Sequence, residues 1–274
     1  IFVNLYTIIM YFLKDIKHSV FLITLCILFG FSGCGTAMLS DEHLAKRSKS
    51  QFSQMKKSER ISNIASHKAM IERIGERIAG VAQVDLPGTE WEFVVFEKSE
   101  PNAFAMPGGK VGVNSGLITL ANGSEDEVAA VIGHEIAHVA FRHSNKRMSQ
   151  AMGIALGGVI LNTAMRNKSS TDRVLATGAY GVGTTVGMAL PFSRSQEREA
   201  DHRGIFYAAM AGYDPRAAIS FWKKMQGGKK RKMPEFLSTH PNPGNRIEFL
   251  ESNMDRALGL YKEAKLARGE KPNP

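Results

Sequence analysis

His134-Glu135-Ile136-Ala137-His138 is the part of this 274-residue chain best equipped for chemistry. On an α-helix, residues four apart are separated by about 400° of rotation, so both imidazoles leave one face about 6 Å apart along the axis and can hold one zinc ion. Glu135 sits about 100° round the helix, where it can hold and deprotonate a water without being a ligand. A catalytic zinc needs a third protein ligand and an open fourth position. Only two cysteines are present, Cys26 and Cys34, which excludes a disulfide-stapled fold and a four-cysteine zinc site. The missing ligand must therefore be His, Asp or Glu. An extended motif with a glycine and a third histidine at positions 141 and 144 is excluded, because Phe141 and Ser144 stand there. Carried on along the same helix, His143 faces the opposite side and reads as a solvated or phosphate-binding cation. Glu197, within Ser193-Arg194-Ser195-Gln196-Glu197-Arg198-Glu199-Ala200-Asp201, is the better candidate. On a helix Glu197 and Asp201 share a face, so one carboxylate can bind metal while the other accepts the free N–H of a ligating histidine. Glu199 is turned away and reads as solvated.

These residues need helices to position them, and the pattern supplies them. Ser124 precedes Glu125, Asp126 and Glu127, and Val128, Val131, Ile132, Ile136 and Val139 follow at helical spacing. That predicts a capped helix to about His143. A second helix is expected from about Arg194 to Ala211, ending at Gly212, a third from Pro215 to Met225, and a last from Asn245 to about Ala267. Ala45 to Gly80 reads as one or two amphipathic helices. Trp91 to Phe96 reads as a strand. Asn102 to Met106 and Lys110 to Val113 flank Pro107-Gly108-Gly109, which is hairpin chemistry. Ala151 to Ala164 and Val174 to Phe192 are apolar and glycine-rich, and read as a packed helical pair in preference to a membrane hairpin.

With 43% hydrophobic and 22% charged residues the chain has a real core, and its net charge of +9 argues for a basic surface and no more. No nucleic-acid partner is expected. Residues 1–33 carry Lys14 and Lys17, then an apolar run from Ser19, then Phe31-Ser32-Gly33-Cys34, the order of a secretory signal; residues 1–9 can lie upstream of a true start at Met10. The Ser-Gly-Cys ending resembles the bacterial lipoprotein box, which implies acylation of Cys34 and cleavage before it. Gly35 after the cysteine implies the outer membrane, periplasmic face. Residues 34–60 are then expected to be a lipid-anchored tether, 61–267 the catalytic domain, and 268–274 a disordered tail.

The chain resembles the HtpX and CAAX-prenyl-protease group of gluzincin metallopeptidases, and within it the BepA/LoiP-like branch of bacterial outer-membrane lipoproteins. The resemblance covers about Ile64 to Leu250. It rests on His134 to His138, on Glu197 to Asp201, on Asn102-Ala103-Phe104-Ala105-Met106-Pro107-Gly108-Gly109, and on His240-Pro241. It implies an α+β fold, a mainly helical zincin-like metalloprotease domain with a small β-sheet or hairpin lining the active-site cleft. It also implies one Zn2+ per chain held by His134, His138 and Glu197, general-base work by Glu135 and an orienting role for Asp201. Asn102, Ala103, Phe104, Ala105 and Met106 are expected to form an edge strand that binds substrate. His240 is expected to gate the open zinc position or support the transition state. The expected substrates are unfolded or misassembled envelope proteins, with the outer-membrane assembly machinery as a partner. A latent protease acting mainly as a chaperone or assembly factor is the alternative. An intact Glu135 favours the enzyme, since a pure binder has no use for a base there.

Overall fold

The computed structural model describes residues 39–188, 193–227, 235–241 and 244–273. The signal-like segment, Cys34 and the basic stretch 228–232 lie outside these residues. The chain divides into two units: Leu39–Asn145 with Pro191–Pro274 in one, and Lys146–Leu190 in the other. The fold is mainly helical with one three-stranded sheet, as expected.

In the larger unit the motif helix α4 (Glu125–Ala140) is the central element, buried continuously from Glu127 to Val139. Ser124 caps it by accepting from the Glu127 N–H at 3.3 Å, and three acids in the first turn face the positive end of the helix dipole. Around α4 pack α2 (Ala65–Ala82), α7 (Arg194–Met210), α8 (Arg216–Gly227) and the sheet. The apolar stripe Ile71, Ile74 and Ile78 of α2 is buried against it.

The sheet runs in the order β1-β3-β2. β2 (Ala103–Met106) and β3 (Lys110–Asn114) form the expected antiparallel hairpin, with Ala105 opposite Val111. Gly108 and Gly109 both take positive φ in its turn. β1 (Glu92–Phe96) pairs with β3 in parallel, so β3 is central and fully buried. That leaves β2 as an edge strand whose open side is turned to α4.

Four expectations meet a different structure. Most of the stretch expected to be a tether is the helix α1 (Asp41–Ser58), which buries Leu44, Ser48 and Phe52 along one face. The Phe52 ring meets Phe96 and Phe104 edge-on at 6.1 and 6.3 Å, so α1 is part of the packed unit. The motif helix stops at Ala140, because Arg142 takes a φ of 56° and His143 opens a new helix, α5 (His143–Ala164). The tail does not fray as expected: Glu270 pairs with Lys265 and Arg268, and the Asn273 N–H donates to the Tyr261 hydroxyl at 3.0 Å. The expected last helix is broken at Asn253 into α10 (Arg246–Ser252) and α11 (Met254–Ala267). The remaining elements are α3 (Ser115–Leu120), α6 (Ser170–Met188) and α9 (Glu235–Thr239).

Candidate metal centre

The site forms where α4 and α7 cross at two glycines. A Cβ on Gly133 would lie 2.6 Å from the Gly204 carbonyl oxygen, and one on Gly204 would lie 2.7 Å from the His134 nitrogen. With no side chain between them, the two backbones touch, and His134 and His138 on α4 come to face Glu197 and Asp201 on α7. α7 starts in a capping box between Ser193 and Gln196, which places Glu197 in its first turn, near the positive helix end. His240 follows α9, and its backbone N–H donates to the Phe236 carbonyl at 2.8 Å. Its ring stacks on Phe236 with centroids 4.5 Å apart.

His134, His138, Glu197 and His240 form the group able to hold a metal ion, and none is more than 3% exposed. His134 Nε2 lies 3.0 Å from His138 Nε2 and 3.5 Å from Glu197 Oε2. His138 Nε2 lies 3.4 Å from Glu197 Oε1. His240 Nδ1 lies 3.4 Å from His134 Nε2 and 3.2 Å from Glu197 Oε1. Four donors on a tetrahedron with bonds of about 2.0–2.1 Å are about 3.3 Å apart along each edge. With Glu197 Oε1 as the carboxylate donor, four of these separations, from 3.0 to 3.4 Å, lie close to that value, and imidazole nitrogens that face each other this closely need a cation or proton between them. The donor set therefore fits a tetrahedral metal.

Around the donors lie the groups that fix them. His134 Nδ1 is 3.0 Å from Asp201 Oδ1, a close charge contact outside hydrogen-bond alignment. Burial drags the His134 pKa down, but Asp201 and Glu197 outweigh it and raise it to about 10. His138 is held well below the usual histidine value, chiefly by burial. Burial pushes Glu197 up, but its histidine partners win and hold it far below the carboxylate range. Glu135 is pushed above that range by burial, against opposing pulls from His240, His134 and the Ala105 backbone N–H. Glu135 Oε1 lies 3.5 Å from His240 Nε2 and has no hydrogen-bond partner among the described residues.

Every residue predicted for the metal site is thus brought together, and β2 runs beside it. Asn102 lies just before β2 and accepts from the Asn114 N–H at 2.9 Å. Ala103 is buried, and Phe104, Ala105 and Met106 are half-buried.

One group, Arg246, escaped the sequence reading, and another, His143, was misread by it. Arg246, completely buried, donates through Nε to Asp201 Oδ2 at 2.6 Å and through Nη2 to Glu197 Oε2, with its guanidinium 3.8 Å from the Trp222 ring centre. Two buried carboxylates demand a cation, and that demand was the signal available for it. His143 is not solvated: it is fully buried, with Nδ1 2.8 Å from His138 Nδ1 and Nε2 3.0 Å from the half-exposed Glu199 carboxylate. The helix break at Arg142 swings it back against His138.

Residues 65–254 match the model of peptidase family M48, and the chain belongs to this family of metallopeptidases. It is 32% identical over 189 residues to the mitochondrial metalloendopeptidase OMA1 of Schizosaccharomyces pombe, a match covering 68% of this chain and 53% of that protein. The OMA1 of Arabidopsis thaliana is 35% identical over 69% of this chain and 37% of its own length. The beta-barrel assembly-enhancing protease of Yersinia pestis is 31% identical over 65% of this chain and 37% of its own length. The chain thus matches about half or less of these relatives' lengths.

Proposed function

We propose that the chain is a zinc endopeptidase, anchored as a lipoprotein through Cys34 at the periplasmic face of a bacterial outer membrane, that cleaves unfolded or misassembled envelope proteins. The observation that carries the enzymatic part is the convergence of the His134, His138, Glu197 and His240 donors within 4.8 Å of one another, with Glu135 beside them. Zinc, which His134, His138 and Glu197 would hold, would supply Lewis acidity to a water and to the scissile carbonyl. Glu135 takes the proton of that water and passes it to the leaving amine, and burial equips it by raising its proton affinity. A client segment adds to β2 as a further strand through main-chain hydrogen bonds, which presents its carbonyl to the site. Asp201 and Arg246 keep His134 and Glu197 in place.

His240 is the switch in this reading. Its Nδ1 lies 3.4 Å from His134 Nε2 and 3.2 Å from Glu197 Oε1, where it would close the site, so cleavage is slowed until the residue moves away. The same observation favours a second reading, a latent protease that works mainly as a chaperone or assembly factor. The name of the Yersinia pestis relative points to β-barrel assembly as the setting. The purified chain should cleave unfolded casein, and Glu135→Gln should not; equal cleavage by both would refute the mechanism. Cys34→Ser should leave an unacylated, uncut precursor. A soluble mature protein with another amino terminus would refute the anchor.

A further inference from the structure

Six of the ten large exposed apolar side chains among the described residues stand on α5 and α6: Met152, Leu156, Val159, Ile160, Val174 and Leu175. The first four recur at helical spacing and fall within an arc of about 100° on α5. They are 44% to 63% exposed, and Val174 and Leu175 are 70% and 66% exposed. This stripe does not hold the helices together: Leu161, Met165 and Ala176 do that, in a small buried cluster of their own. At the turn joining the two helices, Arg166, Lys168 and Arg173 are all exposed, against one acid, Asp172.

An apolar stripe ending in cations matches the boundary between acyl chains and anionic headgroups. No described helix is long and apolar enough to cross a membrane, so the stripe suits the plane of the bilayer and not its depth. It also lacks the aromatic anchors that concentrate binding energy at protein interfaces. A further argument rests on the proposed acylation of Cys34. The Leu39 carbonyl accepts from Asn145 Nδ2 at 2.9 Å, two residues into α5. Five residues reach at most about 18 Å, so the anchor cannot lie far from where this hairpin starts. We infer that α5 and α6 form a second membrane contact, which lays the Leu156–Val159–Ile160 stripe and Val174–Leu175 on an anionic lipid bilayer.

The test places photoreactive benzoylphenylalanine at Leu156, Val159 or Val174 of the full chain, reconstituted in phosphatidylethanolamine–phosphatidylglycerol vesicles. Val84, an exposed apolar residue outside the hairpin, serves as control. Mass spectrometry should find lipid adducts at the three hairpin positions and not at Val84. In Arg166→Gln/Lys168→Gln/Arg173→Gln the yield should fall at least tenfold, since each cation near an anionic surface contributes about fivefold. Adducts to polypeptide alone, or equal lipid adducts at Val84, would overturn the inference. The intact mass of the same sample reports Cys34 acylation. An unacylated chain that still gives hairpin–lipid adducts refutes the anchor alone, and an acylated chain without them refutes the hairpin contact alone.

Discussion

Gly133→Ala and Gly204→Ala should damage the metal centre although neither residue bears a functional group. The new methyl at position 133 would lie 2.6 Å from the Gly204 carbonyl oxygen, and the one at 204 would lie 2.8 Å from the His134 Cα. Ordinary C···O contacts begin at about 3.3 Å, so α4 and α7 must separate by roughly 0.7 Å. Metal–ligand distances tolerate only about 0.2 Å, so Glu197 is carried out of reach of the ion that His134 and His138 hold. Overpacking of this kind costs about 1–3 kcal/mol, which in a unit of this size lowers Tm by about 2–12 °C. Zinc affinity should fall at least tenfold, as when outer partners of a metal ligand are lost. Gly259→Ala is the control: it lies inside α11 with nothing within 4 Å of its Cβ, and it should leave zinc affinity unchanged. The assay is a chelator-competition titration with thermal unfolding of each apo and zinc-loaded variant. Wild-type zinc affinity in both Gly133→Ala and Gly204→Ala would refute the argument that this backbone contact sets the site.

His240→Ala should keep its zinc and cleave casein faster if the residue gates the site; reduced activity with retained zinc would instead assign it to transition-state support. Arg246→Met leaves the Glu197 and Asp201 carboxylates buried without their cation, so it should unfold at about 3–5 kcal/mol less stability and bind zinc more weakly, whereas an unchanged urea midpoint would contradict the assignment. Asp85 works against burial through its contacts with Tyr207 and Arg203, which hold its pKa below the ordinary value. A carboxylate so lowered stabilises the fold above about pH 4, its unfolded pKa, and loses that contribution as pH falls through the folded value. The difference in urea midpoint between the wild type and Asp85→Asn should therefore be largest near neutral pH, worth about 1 kcal/mol or less, and should vanish in acid. A difference that grows on acidification would be contrary to the sign.

The candidate metal ligands were legible because their signal is local: two histidines at i and i+4, and a carboxylate pair at the same spacing on a capped helix. The hairpin was legible from its glycines. What hid was whatever depends on a contact across the fold. Arg246 stands at the start of a helix that the sequence does predict, but 45 residues along the chain from Asp201, and only the charge balance of the assembled site calls for it. His143 was misplaced because the helix break rests on Arg142 in a positive-φ conformation, which a non-glycine residue seldom adopts and no propensity signals. Helix α1 was legible from Ala45 onward, but its packing was not, because its buried face holds only Leu44 and Phe52 with Ser48 between them, too sparse a stripe to announce a place in the core. The central position of β3 follows from a parallel crossover to β1, and local alternation says nothing about partners. The close approach of Gly133 and Gly204 is likewise invisible until both helices are in place.

Metal content measured by inductively coupled plasma mass spectrometry, alongside casein cleavage on the same purified samples, tests the account at its centre. The wild type should carry about one zinc per chain, Glu197→Ala should lose it together with activity, and Glu135→Gln should keep it while losing activity. Full zinc in Glu197→Ala, or cleavage by Glu135→Gln at the wild-type rate, would contradict it.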